Sequence, residues 1–115
     1  MSGLKERILA AQDLTTEAVT VPEWGETVNV RVMTGADRDS LTASMRDSAG
    51  NVDLMKYRAR LLVRCIVNED GSTMFSEAEI DMLNAKSSIA LDRLFAVADR
   101  INGVRPDAVD AAEKN

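Results

Sequence analysis

The 115-residue chain contains no histidine, one cysteine, two prolines, one tryptophan, one tyrosine and two phenylalanines. Without histidine the usual general base is missing, and no serine sits in a nucleophile elbow, so nucleophilic catalysis has nothing to run on. Zinc is equally short of nitrogen and sulfur ligands. The single cysteine, Cys65 in the apolar run LLVRCIV, has no intramolecular partner, which excludes a disulfide framework and fits a reducing compartment. With aromatics at 3%, the core must come from Leu, Ile, Val, Ala and Met, a composition that favours helices. Positive charge is outnumbered, giving a net charge of −5. That argues against a protein whose work is gripping phosphate backbones, and it aids solubility. Long apolar runs are missing too: Lys5, Glu6 and Arg7 interrupt the N-terminal stretch, and no segment approaches bilayer length, so neither export nor a membrane partner is expected.

What the chain does contain is one domain's worth of patterned sequence. Leu4, Ile8 and Ala11 sit at helical spacing and predict a short amphipathic helix over residues 3–12. The period then changes to two. Val19 and Val21, then Val28, Val30 and Val32, fall on one face of two strands, with Thr20, Asn29 and Arg31 on the other and PEWGE as the turn between them. A two-stranded hairpin is marginal alone, so the valine face must lie on helices or on another chain. Thr34 with Asp37 predicts the start of a weak surface helix. The apolar stretch 52–67 predicts the central helix, its arc holding Leu54, Met55, Tyr57, Ala59, Leu61, Leu62, Cys65 and Ile66, with Lys56, Arg60 and Arg64 as a basic stripe opposite. Ser76 and Glu79 fit a capping box and Phe75 and Ile80 a hydrophobic staple. A last helix over 88–102 is stopped by Gly103 and Pro106. The expected fold is α+β and predominantly helical, with about four or five helices packed with a small antiparallel β-hairpin. It forms a single domain over residues 1–104, with a flexible C-terminal tail over 105–115.

Several motifs have a sharp reading and a plain one. In NEDGSTMFSEAEIDML, placing Gly71 at the sharp turn of a calcium loop puts Ile66 at the first ligand position, where it offers no oxygen. A capped turn between helices fits better, and neither metal nor cofactor is expected. The pairs Asp37/Asp39, Glu77/Glu79 and Asp107/Asp110 read as dipole-stabilising acids at helix starts. The basic stripe is a weak nucleic-acid site without aromatics, and the wet side of a helix is the plainer reading. Arg58 falls inside the apolar arc and needs an ion-pair partner or a snorkelling stem. Trp24 at the hairpin tip either folds back on the sheet or anchors a partner. Of the internal methionines 33, 45, 55, 74 and 82, most are expected to fill core gaps, although such residues also make adaptable binding surfaces.

Taken together, LKERILAAQDL, VTVPEWGETVNVRVMTGADRD, the run from RARLLVRCIVNEDGSTMF through SSIALDRLFAVADRING, and the closing EKN resemble the tail assembly chaperones of long-tailed, non-contractile bacteriophages. The resemblance covers nearly the whole chain and includes no catalytic motif. It implies a non-enzymatic factor of the host bacterial cytoplasm, absent from the mature virion. Such a factor binds the tape measure protein, keeps it soluble, forms homo-oligomers, and helps recruit tail tube protein through a frameshift-extended form. Glu113, Lys114 and Asn115 are compatible with a slippery codon string for such a frameshift. Val19, Val21, Trp24, Val28, Val30 and Val32 are the expected partner-binding residues, so charge at Val30 or Trp24 should abolish oligomers and spare helicity. A small phage regulatory protein that binds nucleic acid or a host factor is the alternative.

Overall fold

The computed structural model describes residues 3–103 and has the expected class, five helices with a three-stranded antiparallel sheet. The helices are α1 (Leu4–Ala10), α2 (Gly35–Ser44), α3 (Tyr57–Cys65), α4 (Ile80–Asn84) and α5 (Ser88–Asn102). The strands are β1 (Thr16–Val21), β2 (Glu26–Arg31) and β3 (Ile66–Val67), paired in the order β1-β2-β3. The tail expected at 105–115, with Pro106 and the pair Asp107/Asp110, lies outside the described residues.

Alternation decides the sheet. Val19 faces Val28 across the β1–β2 ladder and Glu17 faces Val30, so the four valines 19, 21, 28 and 30 share one buried face. On the other face Thr20 and Thr27 are opposed and exposed. Gly25 takes φ +64° in the turn, a left-handed value that a side chain would resist. Helix α5 covers the valine face and also packs on α3, setting Ala90, Leu91, Leu94 and Ala98 inward. Of the two ways to shelter the hairpin, the chain uses its own helices.

Both caps of α2 and α5 follow from chemistry visible in the sequence. Thr34 accepts from the Asp37 amide at 3.0 Å while the Asp37 carboxylate accepts from the Thr34 amide at 3.2 Å, closing a capping box. Gly103 ends α5 at φ +63°. Just before that stop, Asn102 Oδ1 accepts the Met33 amide at 2.7 Å and the Asn102 carbonyl accepts from Arg38. Asn102 thereby fastens the end of α5 to the junction of β2 and α2.

The central segment departs from its helical projection at both ends. Helix α3 begins only at Tyr57, because Lys56 adopts a left-handed φ of 61° that interrupts any helix entering from 52. Leu54 and Met55 are therefore exposed rather than part of the core arc. At the other end Ile66 and Val67, both β-branched, leave the helix and pair with Val30 and Asn29. This third strand converts the expected hairpin into a sheet. The basic stripe is corrected too: Arg64 is only 6% exposed, donating to Ser40 Oγ and Glu77 Oε1, each at 2.9 Å, and Arg60 donates to the carbonyls of Met55 and Ser44. These are structural tethers, and only Lys56, paired with Asp81, remains exposed. Arg58 is half-buried and pairs with Asp92.

The segment after β3 is a tight reversal between extended strands, not a turn between helices. Asn68 N–H donates to the Ser72 carbonyl at 2.8 Å, and Gly71 takes φ +88°. Asp70 Oδ1 is occupied by the Ser72 amide and hydroxyl at 3.0 and 2.6 Å, which holds its carboxyl below the ordinary range. Arg31 donates to the Gly71 carbonyl at 2.6 Å and ties the reversal to β2. A single 3-10 turn (Glu77–Glu79) follows, with the Ser76 amide donating to Glu79 Oε1 at 2.8 Å, and it leads into α4.

Candidate partner-binding site

Of the six residues expected to meet a partner, four are spent inside the molecule. Val21 and Val30 are fully buried, and Val19 and Val28 nearly so, under α5. They are not a surface, because a three-stranded sheet with a helix over it gains more from closing its apolar face internally than from leaving it open. A charge at Val30 is therefore corrected from an oligomer probe to a folding lesion. Val32 lies past the end of β2, half-buried, with its amide donated to the Thr15 carbonyl at 3.0 Å. Trp24, like Val32, is half-buried.

The hairpin tip is what positions Trp24. Its amide donates to the Val21 carbonyl at 3.0 Å and the Gly25 amide to that of Pro22 at 3.1 Å. Glu23 takes a bidentate grip from Arg93 of α5, at 3.1 and 2.9 Å. That guanidinium hydrogen bond holds the Glu23 carboxyl below its usual value. With the turn clamped, the indole lies half-buried against the core and forms one wall of an open groove. The other walls are Phe75, Met82 and Leu83, with Glu79 and Lys86 at the rim, around a volume of about 290 Å³. Met82 is 68% exposed. Indole, phenyl ring and thioether make an apolar trough with one charge of each sign, suited to the apolar face of a helix.

Phe75 and Ile80 occupy their expected places in and beside the core. The sequence does not show that Phe75 comes opposite Trp24, fifty-one residues away along the chain, since β3 and its reversal bring them together. Met82 falls two positions after buried Ile80, which already removes it from the inward face of a helix. Expecting methionines in the core succeeds for Met33 and, partly, Met45; Met55, Met74 and Met82 are exposed. Exposed too is all of α1: Leu4, Ile8 and Leu9 are 64%, 62% and 76% accessible, and the helix buries no residue.

Cys65 is buried, and desolvation, with a smaller push from Asp37, raises its thiol to about 12, so it stays protonated and unreactive. Among the described residues no three His, Cys, Asp or Glu side chains are grouped to hold a metal ion, and no helix is long and apolar enough to cross a membrane.

A protein-family model described as phage tail assembly chaperone matches residues 3–114. A solved structure of the bacteriophage HK97 tail assembly chaperone superposes with a TM-score of 0.58 at 20% identity, covering 91% of this chain and all of that one. At that identity it speaks for the fold. No curated protein sequence matches the chain.

Proposed function

Because the chain belongs to the phage tail assembly chaperone family, we propose that it binds apolar helical segments of the tape measure protein through the groove at Trp24 and keeps that protein dissolved during tail assembly. The observation that carries this reading is the open trough of Trp24, Phe75, Met82 and Leu83 on a body of net charge −5. Apolar helices lie in such grooves by their i, i+3, i+4 faces, and an acidic surround keeps the loaded complex from precipitating. The protein acts by binding and release and changes no covalent bond. It associates with copies of itself, works in the host bacterial cytoplasm and leaves before the virion is complete, and tail tube protein is recruited through a frameshift-extended form.

Coexpression with the tape measure protein tests the reading. The wild type should hold the tape measure protein in the soluble fraction and copurify with it, and Met82→Glu, at an exposed position, should lose both while retaining its helical circular dichroism. A tape measure protein that is equally soluble alone would refute it.

A further inference from the structure

Asn102 and Gly103 form the one Asn-Gly pair in the chain, and Asp70 and Gly71 the one Asp-Gly pair. Such dipeptides carry a reaction of their own. The glycine backbone nitrogen attacks the side-chain carbonyl carbon of the residue before it, and glycine, having no Cβ, leaves that approach uncrowded. At Asn102 the new bond joins Gly103 N to Cγ while the Cγ–Nδ2 bond breaks. Nδ2 leaves as ammonia, taking the proton that the Gly103 amide gives up. Water then opens the succinimide ring. Attack at Cγ leaves aspartate, and attack at the main-chain carbonyl leaves isoaspartate, whose backbone runs through Cβ and Cγ.

The folded end of α5 withholds the groups this reaction uses. The Gly103 amide donates to the Asp99 carbonyl at 2.8 Å, so the attacking nitrogen is engaged. The leaving group is held as well, since Asn102 Nδ2 donates to the Ala98 carbonyl at 2.9 Å and to Cys65 Sγ at 3.5 Å. Oδ1 accepts the Met33 amide at 2.7 Å, and Arg38 holds the Asn102 carbonyl. The Met33 bond polarises the side-chain carbonyl and by itself would assist attack. Backbone geometry outweighs it, because Asn102 is the last residue of α5 and ring closure requires its ψ to leave the helical well.

Asp70 is protected differently. It is exposed, but expelling its side-chain oxygen requires a protonated carboxyl, and the Ser72 hydroxyl and amide hold that carboxyl below its usual range. Of the two pairs, only Asn102–Gly103 depends on the fold staying closed.

Conversion at residue 102 has structural consequences. The oxygen that replaces Nδ2 faces the Ala98 carbonyl oxygen, so a donated bond becomes a repulsion between acceptors, and the new charge lies at the negative end of the helix dipole. Isoaspartate goes further, since the rerouted backbone draws the side chain away from Met33. Either product weakens the fastening of α5 to the junction of β2 and α2.

We propose that Asn102–Gly103 is a latent modification site: inert while the last turn of α5 is closed, it converts by succinimide formation and hydrolysis once that turn opens, and the product favours the open turn. The event is irreversible and reinforces itself. Each chain therefore carries a chemical record of having opened.

Peptide mapping tests this on the full chain. Native protein, and protein in urea above its unfolding midpoint, are held at pH 8. Trypsin frees the pair in a peptide spanning residues 101–105, in which mass and elution distinguish asparagine, aspartate and isoaspartate. The native rate should be lower than the unfolded rate by the factor that protects the Gly103 amide from hydrogen exchange, since both reactions need that nitrogen released. Arg38→Met alters an exposed side chain and removes its hold on the Asn102 carbonyl, and should speed conversion in the folded protein roughly tenfold. Asn102→Asp should melt below wild type, with faster exchange at Gly103. Native conversion as fast as in urea, slow conversion while Gly103 exchanges freely, an Arg38→Met rate equal to wild type, or an Asn102→Asp protein as stable and protected as wild type would overturn the proposal.

Discussion

Val30 separates a folding residue from a binding residue most sharply, because the alternation of the sequence is compatible with both roles. It is fully buried under α5, opposite Glu17 on one side and Ile66 on the other. Val30→Ala removes two methyl groups, a transfer loss of about 1.6 kcal/mol at the usual value per carbon. The cavity left in a close-packed site raises the total to about 2–3 kcal/mol. A chain of this size has a total stability of roughly 6–17 kcal/mol, so the alanine variant should fold and melt about 10 °C lower. Val30→Asp is a different perturbation. Its carboxylate would enter an apolar site facing Glu17, whose own carboxylate is already held by Arg100. Burying it costs several kcal/mol whether it stays charged or takes up a proton.

Urea titration followed by far-ultraviolet circular dichroism measures both variants. Val30→Ala should shift the midpoint with no change in slope, and Val30→Asp should show no cooperative transition near room temperature. Met82→Glu is the internal control, expected within about 0.5 kcal/mol of wild type as a change at an exposed position. A helical, cooperatively unfolding Val30→Asp protein would refute the assignment of the valine face to the core and return it to the surface.

Thr34→Ala should cost about 1 kcal/mol by opening the capping box of α2, with faster amide exchange at Asp37; unchanged exchange there would count against the cap. Arg93→Met should let the Glu23 carboxyl return upward toward its ordinary 4.5 in an NMR pH titration. Because the lowered value means that the paired form gains from being ionised, its contribution is present above that ordinary value and fades as pH falls below it. Cys65 should resist thiol reagents at pH 8 until the protein unfolds. Burial keeps its thiol neutral to about pH 12 whereas an unfolded thiol ionises near 9, so its contribution to stability is complete below about 9 and is lost as pH rises toward 12. Rapid labelling of the native protein would contradict this.

Local rules carried the reading of the sequence a long way, and failed where contacts between distant segments decide. Helix α5, its glycine stop, the Thr34 capping box and the valine alternation are legible because each depends on neighbours within a turn or a strand. Ile66 and Val67 continue the apolar arc of α3 in sequence, and only the open edge of β2 pulls them into a strand. Arg64 looks like the wet side of a helix until α2 and the Glu77 turn arrive over it from other parts of the chain. The groove has the same origin. Trp24 was recognisable as an anchor candidate, but its walls come from Phe75, Met82 and Leu83, which no periodicity connects to residue 24.

A division of labour follows from burial. The residues that hold the fold together, such as Leu62, Ile66, Leu91, Leu94 and the four valines, are shielded from any partner. Exposed apolar residues such as Leu4, Ile8, Leu9 and Met82 contribute almost nothing to stability because they remain wet. An assembly factor gains from this separation. Contacts at the groove, where the proposed function places the client, would form and release without loosening the core, since no side chain has to leave α3, α5 or the sheet for the groove to open. The buried valine hairpin gives the tip its rigidity, and the Glu23–Arg93 clamp fixes the angle at which Trp24 meets the groove. Stability and client retention should therefore respond to separate sets of substitutions, and a Met82→Glu protein that lost both together would show that this exposed wall of the groove is part of the core after all.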